Sequence, residues 1–300
     1  MSGIKIFDRK SKRIVTEKVY GERSINFLYE KNFVSKFVLF LTKFPNFSKL
    51  YGFIQKTKFS KCKILPFIKK FDIDTSELVK DVSKFTSFND FFIRKINLDK
   101  RPLVKDDDIC VCPADGRYRV FPKIEDSEPF YVKGKKFSLE EFLQDEKLAK
   151  KYINGSMVII RLNPTDYHRI HFPIDCIPSS SKLINGYLFS VNPIAIINNC
   201  KLFYQNKREL TTLKSEKFGD VLLSEIGATG VGSINQTFGA SSTYTYKKGE
   251  QKSYFSFGGS SVIMLFEPNM ITFADDLLKY SEKGIEVKAQ VGQKLASLKV

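Results

Sequence analysis

The chain contains two histidines, which stand three residues apart in the run PTDYHRIHFP. His168 and His171 are the side chains best suited to general acid and base chemistry near neutral pH. Their place beside Asp166 and Tyr167 indicates a catalytic site, whereas a single histidine on an apolar face is usually structural. A metal site is disfavoured, because no further residue stands at a ligand spacing. Residues three apart face opposite sides of a strand but converge in a turn, so the relative placement of the pair stays open.

An acid and a hydroxyl group elsewhere in the chain complete a second pattern. Asp115 precedes Gly116 in CPADGRYRV, and Ser260 follows two glycines in FSFGGSSVIMLFE. Serine, histidine and aspartate together can form an activated nucleophile, and a tight bend would let the hydroxyl of Ser260 reach the Gly259 carbonyl. Each motif also has a structural explanation. Asp-Gly is a common hairpin turn, and FSFGGSSVIMLFE reads as one buried strand with a bulge at its glycines.

The spacing of apolar residues changes near Arg101-Pro102. Residues 24–98 mix Phe, Leu and Val with Lys at roughly helical spacing, which predicts amphipathic helices. Short alternating runs separated by Gly, Pro, Asn and Ser follow, and they predict strands. We therefore expect an α+β fold, with a helical N-terminal region over residues 1–105 and a β-rich catalytic body over residues 106–300. Antiparallel sheets, as in a barrel or a sandwich, are expected in this body.

Two helices are expected inside the β-rich body. Ser138 and Glu141 have the spacing of a capping box at the start of SLEEFLQDEKLAKKY, residues 138–152. PIAIINN, residues 193–199, is the second predicted helix. The glycine-rich run GATGVGSI, residues 227–234, lacks the lysine and hydroxyl ending of a phosphate-binding loop, so it predicts a close backbone approach instead.

The formal net charge is +16, and most of it lies in the first third of the chain. Residues 1–100 carry 22 Lys and Arg against 10 Asp and Glu, whereas residues 101–300 carry 27 against 23. A surface this basic attracts a polyanion, either nucleic acid or an anionic membrane leaflet. Basic helices with large aromatic residues on the other face suit a helix that lies in the membrane surface. The alternative, that the aromatic stripe packs on the rest of the protein, fits the sequence equally well.

The N-terminal sequence lacks the apolar core of a secretory signal, and FVLFL at residues 37–41 is too short to span a bilayer. Five cysteines, an odd number with no export signal, favour reduced thiols in a cytosolic compartment. Cys110 and Cys112 form a CxC pair, whose spacing fits alternation along a strand better than a zinc site.

Taken in order, these motifs resemble those of the phosphatidylserine decarboxylase family. The resemblance rests on PADG, DYHRIHFP, FSVNPIA, GATGVGSI and FGGSSVIMLFE at their separations in this chain. It extends to NDFFIRKI with Arg101-Pro102, to VKGKKFSLEEFL at 132–143 and to KKGEQKSYFSF at 247–257. It covers nearly all of the chain beyond residue 80, with a weaker likeness before it. Several independent motifs in one order are far more specific than any one alone.

The resemblance implies a self-processing proenzyme. The family cuts a Gly-Ser bond and converts the serine into an N-terminal pyruvoyl group. Here the cut falls between Gly259 and Ser260, which gives a β chain of residues 1–259 and an α chain of residues 260–300. The implied cofactor is pyruvate, held covalently as the pyruvoyl group derived from Ser260, and no metal is implied. The chain departs from the family pattern at Ser261, where threonine is usual, but the retained hydroxyl implies that processing survives.

The resemblance also implies a role for each site residue. His171, oriented by Asp115, deprotonates Ser260 for attack on the Gly259 carbonyl. The amine of phosphatidylserine then forms a Schiff base with the pyruvoyl group, which takes up the electrons released with carbon dioxide and yields phosphatidylethanolamine. His168 is expected at the substrate end, where it binds the substrate and guides its carboxylate or a proton.

The implied partner is phosphatidylserine in an anionic membrane, on which residues 1–105 dock. This makes the protein a peripheral one on the cytoplasmic side of a bacterial cell membrane. The α and β chains are expected to stay together, a homodimer is left open, and no nucleic-acid partner is expected.

Two alternative functions are a pyruvoyl-dependent decarboxylase of a soluble amino acid and a non-catalytic basic protein that binds lipid or nucleic acid. Retention of the whole set of site residues argues against the second.

Overall fold

The computed structural model describes residues 4–17, 52–101, 103–124, 138–189, 202–228, 233–240, 243–258 and 260–299. The strands in these ranges are β1 Lys5–Asp8, β2 Arg13–Thr16, β3 Ile109–Val111, β4 Gly116–Phe121, β5 Ser156–Leu162, β6 Arg169–His171, β7 Ile177–Pro178, β8 Lys182–Ile184, β9 Arg208–Ser215, β10 Gly219–Gly227, β11 Ile234–Gln236, β12 Gln251–Phe255, β13 Ser260–Phe266, β14 Ile271–Phe273, β15 Glu286–Ala289 and β16 Lys294–Leu298. The α-helices are α1 Ile64–Phe71, α2 Phe88–Phe92, α3 Leu139–Leu143, α4 Glu146–Tyr152, α5 Leu202–Gln205 and α6 Asp275–Glu282. Short 3₁₀ helices cover Lys58–Lys63, Val82–Lys84 and Leu98–Lys100.

A central sheet positions most of the site. Among the described residues its strands run in the order β2-β1-β15-β4-β5-β13-β10-β9-β7, and β8 also pairs with β9. Neighbours are antiparallel except for β1 and β15, which are parallel. The middle strands β5 and β13, SMVIIRL and SSVIMLF, are buried along their whole length. Mostly apolar strands that are buried along their whole length arise where both faces of a sheet are covered.

Different layers cover the two faces of the central sheet. On one face, residues such as Ile160, Val262 and Met264 pack in one core with residues of two three-stranded sheets, β11-β12-β6 and β14-β16-β3. On the other face, Ile159 and Ile263 pack with residues of α3, α4 and α5. The predicted α+β fold with antiparallel sheets is therefore confirmed. In the described part of the chain the body is a stack of open sheets, with no closed barrel.

The run FSFGGSSVIMLFE forms two strands that belong to two different sheets. β12 ends at Phe255 and pairs with β6 and β11, whereas β13 begins at Ser260 in the central sheet. The expectation of one interrupted strand is therefore wrong, because the chain leaves one sheet and enters another across its glycines. Gly258 has a φ of 138°, a conformation that residues with a side chain rarely adopt, so the crossing requires glycine. Gly259 itself lies outside the described residues.

The N-terminal region contributes strands as well as helices. β1 and β2 form one edge of the central sheet, because β1 pairs with β15 and β2 returns after a turn to pair with β1. Residues 5–8 and 13–16 are therefore strands and not helices. α1, α2 and the neighbouring 3₁₀ helices pack through a phenylalanine cluster, whose members are Phe67, Phe85, Phe88, Phe91, Phe92 and Phe257. In this part of the aromatic stripe, packing on the body is what the structure shows.

Several smaller predictions can be compared with the structure. α3 and α4 occupy the predicted helical stretch 138–152, and Oγ of Ser138 accepts a hydrogen bond from the main-chain N of Glu141 at 3.2 Å. β9, RELTTLKS, was missed, because its consecutive threonines break the alternation that marks a strand. The helices expected before residue 52 and over 193–199 lie outside the described residues. The boundary at residues 105 and 106 stays a prediction.

Candidate active site

Ser260 is the first residue of β13, where it pairs with Leu162 of β5 and Gly227 of β10. Its side chain is fully buried, and its Oγ has no hydrogen-bond partner among the described residues. The same is true, within those residues, of Oγ of Ser261, which faces the other side of the sheet because strand residues alternate. A buried hydroxyl without a partner lowers stability, so such a group indicates a functional position.

His168 lies in the turn before β6 and presents one unengaged ring nitrogen. Its Nδ1 donates a hydrogen bond to the carbonyl oxygen of Asp166 at 3.0 Å, since a carbonyl can only accept. Nε2 therefore carries the lone pair of the neutral ring, and it is buried with no partner in the described part of the chain. The ring packs on Phe92, with ring centroids 3.9 Å apart. Burial lowers the pKa of His168 to about 3, so the lone pair is available at neutral pH.

His171 ends β6, and both of its ring nitrogens are engaged. Nδ1 donates to the carbonyl oxygen of Gly249 at 2.8 Å. Nε2 is then the acceptor, and it receives the hydroxyl of Tyr167 at 3.0 Å. Burial lowers the pKa of His171 to about 4. His171 is therefore a neutral base held in place by two partners.

Asp115 lies at a bend between β3 and β4, which belong to different sheets, so Asp-Gly is not a hairpin turn here. Oδ1 of Asp115 accepts from the main-chain N of Val291 at 2.9 Å, and Oδ2 accepts from Nη2 of Arg101 at 3.0 Å. Burial raises the pKa of Asp115. Among the described residues no hydrogen bond joins Asp115 to His171. Asp115 is linked to His171 through Tyr167, whose hydroxyl donates to Nε2 of His171. Burial raises the pKa of Tyr167, and the negative charge of Asp115 raises it further.

Comparison with known proteins identifies the family of this chain. The family model described as phosphatidylserine decarboxylase matches residues 88–297. Curated relatives named phosphatidylserine decarboxylase proenzyme come from Chlamydia caviae, 48% identical over 98% of this chain and 98% of the relative, from Chlamydia pneumoniae, 46% identical over 96% and 95%, and from Chlamydia felis, 44% identical over 98% and 98%. The chain belongs to the phosphatidylserine decarboxylase family.

In this member of the decarboxylase family, buried arginines hold the turn that carries His168. Nη2 of Arg94 donates to the carbonyl oxygens of Thr165 and Asp166, each at 2.9 Å. Arg117 forms an ion pair with the carboxylate of Asp166, which also accepts from the main-chain N of Asn163 at 2.7 Å. Asp166, which the sequence placed beside the histidines, therefore shapes the turn.

Glu17, just after β2, joins this network from the other end of the chain. Its carboxylate pairs with Arg161 at 2.7 Å and also with Arg117. Burial acts to raise the pKa of Glu17, but the charges of Arg161 and Arg117 outweigh it and lower the pKa to about 2. Sequence reasoning missed this contact, because the partners lie 100 or more positions apart and no local pattern marks them.

A bulge in β12 supports the strand that pairs with His171. The register of β12 against β6 shifts between Gln251 and Ser253, so the side chains of Lys252 and Ser253 both reach Glu225 of β10. Nζ of Lys252 lies 2.9 Å from Glu225, and both side chains are fully buried. This buried ion pair fixes β12 against the central sheet, and nothing in the local sequence signals it.

Proposed function

We propose that this member of the family cuts its own chain between Gly259 and Ser260 and then decarboxylates phosphatidylserine to phosphatidylethanolamine. The observation that carries the proposal is Oγ of Ser260, which is buried without a partner among the described residues, directly after the glycine crossing between two sheets. Family membership supports the reaction. The relatives are named as proenzymes, which supports a cut in the chain.

Cleavage begins when Oγ of Ser260 attacks the carbonyl carbon of Gly259. The peptide C–N bond breaks, a C–O ester bond forms, and the hydroxyl proton passes through Nε2 of His171 to the freed amine. Nε2 is the unprotonated nitrogen of His171, and it takes this proton once the hydroxyl of Tyr167 turns away. In this scheme the carboxylate of Asp115 stabilises the imidazolium through its field.

Elimination then completes the cut. Loss of the α-proton of residue 260 breaks its Cβ–O bond, which leaves a carboxylate on Gly259 and a dehydroalanine at position 260. Water hydrolyses the imine form of that residue and releases ammonia, so that a pyruvoyl group remains at the new N-terminus. The burial of Ser260 suits this chemistry, because it limits competing attack by bulk water.

The residues around position 260 fit a pyruvoyl group, which supplies an electron sink for decarboxylation. His168 offers a neutral lone pair at Nε2 that can accept and return a proton. Phe92 contacts both the ring of His168 and the ring of Phe257, whose centroid is 4.9 Å away, so His168 and the crossing segment share one apolar wall. We therefore assign the proton step of decarboxylation to His168.

The N-terminal region supplies a surface suited to a lipid substrate. Between residues 52 and 80 five large apolar side chains are exposed, Phe53, Ile54, Phe59, Leu65 and Val79, and Phe59 is 91% exposed. Six exposed lysines lie in the same stretch, at positions 56, 58, 61, 63, 69 and 70. Each basic side chain near an anionic surface contributes about 1 kcal/mol, and inserted aromatic rings add apolar burial. The described residues contain no helix long and apolar enough to cross a membrane.

Intact-mass analysis tests the proposal directly. The purified protein is expected as two chains, residues 1–259 and residues 260–300, with the mass of the second lowered by conversion of serine to a pyruvoyl group. Ser260→Ala is expected to stay at full length and to lack activity. A parent protein that remains one chain would contradict the scheme.

The two alternatives to this function predict different substrates. The cleaved protein is expected to release carbon dioxide from phosphatidylserine in vesicles and not from free serine, because the exposed apolar and basic surface serves only a lipid substrate. Preference for free serine would favour a decarboxylase of soluble amino acids. Salt-sensitive binding to nucleic acid without decarboxylation would favour a non-catalytic protein.

Docking is tested by vesicle co-sedimentation. The double substitution Phe59→Ser and Leu65→Ser is expected to weaken binding to anionic vesicles by roughly tenfold or more, because two inserted apolar side chains are lost. Ile14→Ser is the matched control, since Ile14 is also an exposed apolar residue but lies on β2. Equal binding by the double variant and the control would contradict docking through this surface.

A further inference from the structure

Helix α2, which belongs to neither the sheet of β12 nor the sheet of β13, holds the segment that precedes the proposed cleavage bond. Oδ1 of Asn89, in α2, accepts a hydrogen bond from the main-chain N of Phe257 at 3.0 Å. The ring of Phe257 packs between Phe88 and Phe92 of the same helix, with centroids 5.2 Å and 4.9 Å away. Asn89 and Phe257 are both buried. A polar contact and an apolar contact therefore fix the same residue to one helix.

The chain is fixed again immediately afterwards. Ser260 enters the central sheet between β5 and β10, where its main chain pairs on both sides. Only Gly258 and Gly259 lie between the two anchored residues, and Gly258 has a φ of 138°. A span of two residues cannot move far when both ends are held, so the position of Phe257 restricts where the Gly259 carbonyl can lie.

We propose that Asn89 is a positioning residue for self-cleavage, which acts by holding Phe257 so that the Gly259 carbonyl meets Oγ of Ser260. This inference rests on the proposed cleavage between Gly259 and Ser260. Attack by an oxygen on the carbonyl before it requires close contact and correct alignment. Asn89 touches neither reacting atom and sets their geometry through the main chain of Phe257.

The positioning role of Asn89 can be tested separately from the stability of helix α2. Ser87 caps α2, because its Oγ accepts from the main-chain N of Asp90 at 3.1 Å. Ser87→Ala therefore weakens the same helix and leaves the hydrogen bond from Phe257 to Asn89 in place. Asn89→Leu keeps the branched shape and the number of side-chain heavy atoms and removes the acceptor, whereas Asn89→Asp keeps an acceptor oxygen in either protonation state.

The experiment measures the rate of self-cleavage of freshly purified, full-length chains by intact mass. Asn89→Leu is expected to cleave at least tenfold more slowly than the parent, while Asn89→Asp and Ser87→Ala stay within about threefold of it. Equal slowing by Ser87→Ala and Asn89→Leu would overturn the proposal, since helix stability would then explain both. Failure of the parent to cleave is a different result and would overturn the proposed function itself.

Hydroxylamine adds a readout that lost stability would not reproduce. Its nitrogen attacks the ester carbonyl of residue 259, releases the serine hydroxyl and leaves a hydroxamate, but it leaves an ordinary peptide bond intact. Because the proposal places the defect of Asn89→Leu before ester formation, hydroxylamine is expected not to restore its cleavage. Restoration would place the defect after the ester and overturn the proposal. If the leucine variant does not fold, Asn89→Gln, which moves the oxygen by one methylene, must still slow cleavage.

Discussion

The two histidines of the site differ in how their ring nitrogens are engaged. His171 has a partner on each nitrogen, the Gly249 carbonyl and the Tyr167 hydroxyl. His168 has one partner, and its Nε2 is buried and unpartnered within the described residues, as is Oγ of Ser260. A histidine with a partner on each ring nitrogen is held in one orientation. A histidine with a free lone pair can still accept a proton or a hydrogen bond from a bound substrate. The difference suggests that His171 serves a reaction within the chain and that His168 serves a substrate.

The largest effect is expected when the two histidines are exchanged for alanine one at a time. His171→Ala should slow self-cleavage by about 10³-fold, because it removes the general base. His168→Ala should cleave at close to the parental rate and then decarboxylate phosphatidylserine by about 10³-fold more slowly. Intact mass and carbon dioxide release measure the two steps. Slow cleavage in His168→Ala together with normal cleavage in His171→Ala would reverse the assignment.

A smaller effect is expected at Asp115. Asp115→Asn should slow cleavage by roughly 10²-fold, since in the proposed scheme its carboxylate supports His171 through its field, while its described hydrogen bonds go to Val291 and Arg101. Glu77→Gln is the control, because Glu77 also pairs with Arg101, at 2.8 Å, and carries no proposed role. If Asp115→Asn slows cleavage as much as His171→Ala, the reacting state contains a direct contact between them. If both acidic variants behave alike, the effect belongs to Arg101.

Tyr167→Phe probes the engaged nitrogen of His171. The substitution is expected to speed self-cleavage by about fivefold, because one hydrogen bond of about 1 kcal/mol no longer competes for Nε2. The bond from Nδ1 to Gly249 remains and keeps the tautomer. The measurement is again the rate of appearance of the two chains. Slower cleavage would instead show that the hydroxyl positions the ring or relays the proton.

The last prediction concerns the pH dependence of stability, which is separate from the rate of cleavage. The pKa values of His168 and His171, about 3 and about 4, lie below the ordinary value for histidine, so the unfolded chain binds protons more readily than the folded one. Stability is therefore fully present above about pH 6.5 and is lost as the pH falls from there towards 4, by about 1.4 kcal/mol per pH unit for each histidine. Denaturant unfolding of the uncleavable Ser260→Ala chain at pH 7 and pH 5 measures this loss. His168→Asn should remove about half of the difference, and an unchanged difference would exclude His168 as a source.

Much of the fold follows from local patterns in the sequence. Runs such as SMVIIRL are mostly apolar, so they mark central strands without any knowledge of their neighbours. Two histidines, an aspartate and a serine after glycines also pointed to candidate site residues, and the family resemblance supplied their expected roles, which stay predictions. These signals are local, because each depends on the type and spacing of residues within a few positions of one another.

The remaining contacts could not be predicted, because main-chain atoms make many of them. Gly249 fixes His171 through a carbonyl and Val291 holds Asp115 through an amide, and every residue carries those groups. Their identity is decided by which strands meet, and therefore by packing across the whole chain. The same reason explains why FSFGGSSVIMLFE looked like one strand. Apolar residues stand on both sides of its glycines and serines, but the partners of its two halves lie in different sheets.

The place of β13 in the central sheet has a consequence for the protein after the proposed cut. The shorter chain would contain β13 to β16 and α6, and β13 lies between β5 and β10, which would belong to the longer chain. Before the cut, folding is a unimolecular process, and afterwards refolding requires two separate molecules to meet. Recovery after heating should then depend on protein concentration, unlike that of Ser260→Ala. Maturation would make the active enzyme a kinetically trapped assembly that can form its native state readily only once.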